Sequence, residues 1–188
     1  MVDLGDGSGT VSLSLVEKLL PQVTFSRLND RKVYDDTSSH IADPSEIANM
    51  TDLMSALKSG TYDAGFAFDS DADRVLAVDE KGNYLNGSLY GSAMTDVFAL
   101  LNSSNQKVGY AVDCGPSLYN TVASLTNTNR LFFVTAIPVG RSIIRQMIRD
   151  GKIDVGVENV GHFYLRNFFM TDSGAFALVL LLYWSRVS

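Results

Sequence analysis

Two short apolar runs, Ala64-Gly65-Phe66-Ala67-Phe68 and Val75-Leu76-Ala77-Val78, bracket the stretch Asp69-Ser70-Asp71-Ala72-Asp73-Arg74. The runs read as strands, so any fold of this chain must bury them and still deliver three carboxylates and an arginine where they join. Three like charges this close repel one another, and a solvated turn would carry them only as a loose, exposed patch. A divalent cation turns that repulsion into attraction. Hard carboxylate oxygens suit Mg²⁺ or Ca²⁺, and the octahedral demand of Mg²⁺ leaves room for water or phosphate oxygens. Arg74 stands beside the cation with a planar fork of donors that fits phosphate. The stretch thus predicts a metal site at Asp69, Asp71 and Asp73 that faces a phosphate.

Two other readings compete. An acidic turn that merely solvates a hairpin is the default for a charge cluster, but strict alternation followed by arginine disfavours it. An EF-hand fits the charges, with Asp69, Asp71, Asp73 and Glu80 at loop positions one, three, five and twelve. It fails at position six, where the sharp turn needs glycine and the chain has Arg74, and its loop should join helices, not strands.

Composition narrows the class. With 188 residues, 46% of them hydrophobic, the chain can bury a sizeable core as one moderate or two small domains. A formal net charge of −6 argues against nucleic acid as a partner. The single cysteine, Cys114, allows no internal disulfide and fits a reducing compartment. The opening Met1-Val2-Asp3-Leu4-Gly5-Asp6 does not read as a signal peptide. The most apolar run, Ala175 to Trp184, is about half the length a bilayer requires. It is expected as a buried helix, with no membrane partner and a cytoplasmic location.

Val2-Asp3-Leu4 reads as a short strand and Gly5-Asp6-Gly7-Ser8-Gly9-Thr10 as a tight strand-to-helix turn, since the third glycine of a dinucleotide fingerprint is replaced by Thr10. A helix is expected over Val11–Leu20, with Leu13, Val16, Leu19 and Leu20 inward and Pro21 as the stop, then a strand over Val23–Leu28. Thr37-Ser38-Ser39-His40 places a serine beside a histidine, which turn chemistry explains better than catalysis. Asp43-Pro44-Ser45-Glu46 reads as a helix start of the capping-box kind, continuing through Ile47, Met50, Leu53, Met54 and Leu57 to Gly60. Glu80-Lys81-Gly82-Asn83 closes a hairpin.

Around Asn86-Gly87-Ser88 the pattern restarts: helix over Ala93–Leu101, strand over Val108–Val112, helix over Leu118–Leu125 and strand over Leu131–Val134. A helix follows over Ser142–Arg149 with Ile143, Ile144, Met147 and Ile148 inward, then strands over Val155–Val157 and Phe163–Leu165 and the final helix from Ala175. The fold class is therefore α/β: two consecutive small domains, 1–87 and 88–188, with mixed, largely parallel sheets flanked by helices. Ligands of such sheets bind beyond the carboxyl ends of the strands, and the loops 69–74 and 158–162 both leave strands at that end.

In the second loop, Glu158 and His162 lie four residues apart across Gly161. As a metal pair they lack further ligands nearby. As substrate contacts they make sense, because a carboxylate accepts from sugar hydroxyls and an imidazole can move a proton near neutral pH. A hydrogen-bonded loop with a structural histidine is an equal alternative on this loop alone.

The run from Ala64 to Arg74, followed by Val78-Asp79-Glu80-Lys81-Gly82, resembles the metal loop of the α-D-phosphohexomutases, the phosphoglucomutase/phosphomannomutase family, with Ser70 in place of that loop's usual glycine. Val157-Glu158-Asn159-Val160-Gly161-His162 resembles the family's sugar loop, G-E-x-S-G-H. Val139-Gly140-Arg141 resembles its V-G or T-G segment, and Asp172-Ser173-Gly174 the aspartate–glycine step that opens a helix. The resemblance covers the family's second and third domains only. It implies a phosphoryl transfer between the 1- and 6-positions of a phosphorylated hexose, by way of a phosphoserine in a first domain. Asp69, Asp71 and Asp73 would hold Mg²⁺, with Arg74 neutralising the phosphate. Glu158, Gly161, His162, Gly140 and Arg141 would meet the sugar, His162 also as a proton carrier.

Departures from the pattern matter. Val160 replaces the sugar-loop serine, and Val157 the loop's first glycine. Thr37-Ser38-Ser39-His40 is similar to the phosphoserine loop but lacks its Asn-Pro and lies too near the metal loop. With the first and fourth domains missing as partners, the chain alone is expected to turn over poorly, and its open faces to promote self-association. A non-catalytic phosphosugar- or metal-binding module is the alternative.

Overall fold

The structure is a computed structural model, and it describes residues 1–31, 41–101, 106–111, 115 and 132–187. Thr37-Ser38-Ser39-His40, Cys114 and the helix expected over 118–125 lie outside the described residues. Two units make up the chain, Met1–Asn86 with Ser173–Val179, and Gly87–Asp172 with Leu180–Ser188.

The first unit holds a sheet of order β2-β1-β3-β4-β5, formed by β1 (Val2–Asp3), β2 (Arg27–Leu28), β3 (Gly65–Phe68), β4 (Val75–Val78) and β5 (Tyr84–Leu85). β1 runs parallel to both β2 and β3, while β3–β4 and β4–β5 are antiparallel. β3 and β4 are buried along their whole length, as their unbroken apolar sequence requires. Met50, Leu53 and Leu57 pack on Ala67 and Val78 to form one core cluster.

Three expectations for this unit need correction. Helix α1 (Gly9–Leu19) buries Leu13 and Val16, but Leu19 is 69% exposed. At roughly 100° per residue, Leu19 falls about a quarter-turn away from the line that Leu13, Val16 and Leu20 share. The strand expected over Val23–Leu28 shrinks to Arg27–Leu28, because the chain after Pro21 is held in a turn by Val23 N–H on the Leu20 carbonyl. Asp43 does not cap a helix. Its Oδ1 accepts from the Ser45 amide and hydroxyl, an Asx turn that postpones helix formation. The chain then makes a 3-10 turn at Ile47–Met50 and becomes α-helical only as α2 (Thr51–Leu57), leaving Ile47 exposed.

The second unit holds a sheet of order β7-β6-β8-β9, formed by β6 (Gln106–Ala111), β7 (Phe132–Ile137), β8 (Val155–Val157) and β9 (Phe163–Leu165). β6 is parallel to β7 and β8, and β8–β9 is antiparallel. This repeats the β2-β1-β3-β4 arrangement of the first unit. Helix α4 (Arg141–Arg149) lays Ile144 and Ile148 against Ile137, Ile153 and Tyr164, while Ile143, expected inward, is 46% exposed beside that stripe.

Helix α3 (Gly87–Leu101) begins six residues before the expected Ala93. Its first turn is capped from the 158–162 loop: Gly87 N–H donates to the Asn159 carbonyl at 3.1 Å, and the Ser88 amide and hydroxyl donate to Asn159 Oδ1 at 3.2 and 2.8 Å. A Cβ at Gly87 would lie 2.2 Å from that carbonyl, so only glycine permits the approach. Helix α5 (Gly174–Val187) closes the chain, and no helix among the described residues is long and apolar enough to cross a membrane.

Candidate functional site

The loop 69–74 leaves the carboxyl end of β3 and returns as β4. It is fixed from three sides of its own unit. Ala72 N–H closes a turn on the Asp69 carbonyl, with Ala72 in the left-handed region at φ 60°. Ser8 N–H donates to the Ser70 carbonyl at 2.9 Å, and Gly174 N–H to the Ala72 carbonyl at 3.2 Å. A Cβ on Gly7 would lie 2.3 Å from Ser70 O, and one on Gly174 2.7 Å from Arg74 O. The glycines flanking β1 and opening α5 thus let two backbones press against the loop.

Asp69, Asp71 and Asp73 come together, each with a carboxylate oxygen within 4.8 Å of the others. Asp69 is buried, Asp73 half-buried and Asp71 exposed. Ligand distances of about 2.0–2.1 Å for Mg²⁺ put neighbouring ligand oxygens about 3 Å apart and opposite ones about 4 Å apart. The triad therefore needs only a small contraction to hold such an ion, and its all-oxygen, all-anionic donors are those a hard cation takes. The loop joins antiparallel strands, unlike an EF-hand.

Arg74 is engaged within the protein. Its backbone N–H donates to Asp69 Oδ1 at 3.1 Å, its Nε to Asp69 Oδ2 at 2.6 Å and its Nη1 to Asp43 Oδ1 at 3.1 Å. Burial acts to lower the guanidinium pKa, but Asp69 and Asp43 outweigh it and raise it. For Asp43, burial acts upward, yet the Ser45 hydroxyl and amide and Arg74 hold its carboxyl below the ordinary range.

In the second unit, the loop 158–162 leaves the carboxyl end of β8 and returns as β9. Gly161 N–H donates to the Glu158 carbonyl and Glu158 N–H to that of His162, with Gly161 at φ 97°. The Glu158 side chain is buried, its Oε1 accepting from Gly140 N–H at 2.8 Å and its Oε2 from the Tyr164 hydroxyl at 3.0 Å. His162 Nδ1 lies 2.7 Å from Asp172 Oδ2, and Arg141 Nη2 lies 3.0 Å from the same oxygen. The His162 and Tyr164 rings stack with centroids 5.9 Å apart. Burial pushes the Tyr164 hydroxyl far up, with Glu158 and Asp172 adding to it. At Asp172 burial also acts upward, but His162 and Arg141 prevail and keep the carboxyl below its ordinary range.

Gly140, Arg141, Glu158, Gly161 and His162 thus gather in one unit, and Asp69, Asp71, Asp73 and Arg74 in the other. Sequence reasoning missed Asp43, Tyr164 and Asp172 as members. Asp43 carried only a capping signal, Asp172 only a helix-opening one, and Tyr164 none beyond its place in an apolar strand.

Comparison with known proteins places these loops in context. Residues 1–82 match the family model described as phosphoglucomutase/phosphomannomutase, alpha/beta/alpha domain II, and residues 99–187 match that of domain III. A phosphomannomutase from Methanocaldococcus jannaschii is 26% identical over 187 residues, covering 96% of this chain and 38% of that protein. A phosphoglucosamine mutase from Rhodopseudomonas palustris is 33% identical over 136 residues, or 69% of this chain and 28% of its own length. Among solved structures, a phosphoglucomutase/phosphomannomutase family protein from Burkholderia thailandensis superposes with a TM-score of 0.81 at 21% identity, covering 98% of this chain and 39% of that one. The chain spans well under half the length of these relatives.

Proposed function

We propose, from the premise that this chain belongs to the phosphoglucomutase/phosphomannomutase family, that it is the central cation- and sugar-binding portion of a phosphohexomutase. Such an enzyme moves a phosphoryl group between the 1- and 6-positions of a hexose phosphate. The observation that carries the reading is the convergence of Asp69, Asp71 and Asp73 within 4.8 Å at the end of a buried strand. These residues would hold Mg²⁺, which when bound supplies positive charge opposite a phosphoryl group.

The chain's own groups then position the rest. Arg74 already lies against Asp69, with guanidinium N–H donors beyond Nε and Nη1 to offer a phosphate oxygen. In the second unit Glu158 fixes Gly140 and Tyr164 while each of its oxygens keeps a second lone pair for a sugar hydroxyl. Asp172 holds the His162 ring at Nδ1, and the imidazole so placed would hold or move a proton at a hydroxyl. Arg141 and the Gly161 turn complete the sugar contacts. The phosphoserine and the grip on the second phosphate belong, in this reading, to the family's first and fourth domains, so the present segment alone turns over poorly.

Calorimetric titration of Mg²⁺ into the wild type and Asp71→Ala tests the reading. Saturable binding by the wild type, weakened about tenfold or more in the variant, is expected from the loss of one of three ligands. Identical titrations would sink it. A second reading, a phosphosugar-binding module without catalysis, draws on Val160 in place of the sugar-loop serine and on the engagement of both Glu158 oxygens. Mutase assays primed with glucose 1,6-bisphosphate, on a chain joining this segment to the family's first and fourth domains, separate the two.

A further inference from the structure

Asp43 lies 31 positions before Arg74, in a segment whose sequence reads as nothing more than a helix start. In the folded chain it is a bracket. Its Oδ1 is held by the Ser45 amide at 3.2 Å and the Ser45 hydroxyl at 2.7 Å. The backbone around it is pinned as well, by Asn49 Nδ2 on the Asp43 carbonyl and the Tyr84 hydroxyl on that of Pro44. From this fixed position the carboxylate takes Arg74 Nη1, while Nε reaches Asp69.

A guanidinium beside a carboxylate favours a two-pronged grip with parallel N–H donors. Beside a cluster of three carboxylates, that preference sets Arg74 in competition with any cation for Asp69. With Nη1 drawn onto Asp43, the arginine side chain meets Asp69 through Nε. We propose that Asp43 is a positioning residue for the cation site: it holds the far edge of Arg74, limits the arginine's side-chain grip on Asp69 to the single N–H of Nε, and so leaves the aspartate triad able to take a divalent cation. This rests on the reading of Asp69, Asp71 and Asp73 as cation ligands. It assigns the acid a role in binding rather than in folding the helix that follows.

The test is Mn²⁺ binding, with free ion counted by electron paramagnetic resonance, in the wild type, Asp43→Asn, Arg74→Gln and the double variant. Asp43→Asn should weaken Mn²⁺ binding about tenfold, the scale of one charge-assisted hydrogen bond. In the Arg74→Gln background the same change should alter affinity less than about twofold, because the competitor is gone. Ser45→Ala, which loosens the bracket without changing its charge, should weaken binding about threefold, again only when Arg74 is present; it carries the same test should Asp43→Asn fail to fold. Equal affinities for wild type and Asp43→Asn overturn the proposal. So does an undiminished effect in the Arg74→Gln background, which would make Asp43 a simple through-space charge. No Mn²⁺ uptake by the wild type removes the cation reading itself, and this proposal with it.

Discussion

Gly7→Ala adds one methyl group where the loop 69–74 meets the turn after β1. Gly7 does not stand in the left-handed region, so alanine meets no backbone penalty there and the whole effect comes from the contact. The new Cβ would lie 2.3 Å from Ser70 O, 3.0 Å from its carbonyl carbon and 3.1 Å from its Cα. All three are backbone atoms, so no side chain can swing aside, and Ser70 has to retreat by about 1 Å to restore ordinary contact. Overpacking of this kind costs about 1–3 kcal/mol, and loss of the Ser8 N–H to Ser70 carbonyl bond adds about 1 kcal/mol. The sum, about 2–4 kcal/mol, corresponds to a fall in Tm of roughly 10–20 °C for a unit of this size. Ser70 sits between Asp69 and Asp71, so the same retreat should weaken Mg²⁺ binding about tenfold. Gly60→Ala is the control. Gly60 has φ 73° and nothing within 4 Å of an added Cβ, so it should cost only the left-handed penalty of about 1–2 kcal/mol and leave cation affinity alone. Thermal unfolding by circular dichroism and calorimetric titration read the two effects separately. A Gly7→Ala chain with wild-type melting and wild-type affinity would refute the idea that this glycine fixes the loop.

Two further predictions concern the second unit. Tyr164→Phe leaves Glu158 Oε2 buried without its hydroxyl donor and should destabilise the chain by about 2 kcal/mol in urea denaturation, whereas a loss below about 0.5 kcal/mol would mean the carboxylate finds another donor. For Asp172 the folded pKa is depressed, so between it and the unfolded value of about 3.9 the unfolded chain binds more protons and stability rises with pH. Its contribution should be complete above about pH 4 and vanish as pH falls below, so Asp172→Asn should flatten the acid limb of a stability-versus-pH curve; an unchanged limb would deny the His162–Asp172–Arg141 arrangement that role.

How much of this was legible in the sequence depends on whether a signal is local. The buried runs at β3 and β4, the acidic turn between them and the Glu158–His162 loop are each complete within a few residues, and all three are found where the pattern puts them. Helix α3 starts early because Asn159, 71 residues from Ser88, supplies its cap, and no local rule could bring that residue forward. Asp43 was legible only as a cap because Asx turns and N-caps draw on the same short polar side chains. Leu19 and Ile143 show the coarser limit: apolar residues at the edge of a helical stripe are drawn inward by pattern but left outside by the width of the face a small sheet can cover.

Both singled-out loops occupy the same place in the topology, between the strand that ends the parallel set and the antiparallel strand that follows it. The reason is mechanical. Connections that cross to a helix are long, whereas a hairpin is tied by strands at both ends, so a few residues can hold several charged or polar groups with little entropy left to lose. The two units fill that place differently. In the second, the acids already have partners: Glu158 has an amide and a hydroxyl, and Asp172 an imidazole and a guanidinium. Such a loop is preorganised, which suits the sugar contact proposed for it. In the first, Arg74 is hydrogen-bonded to two of four aspartates, Asp43 and Asp69, while the carboxylates of Asp69, Asp71 and Asp73 converge. Converging carboxylates repel one another, and the divalent cation proposed above would turn that repulsion into attraction.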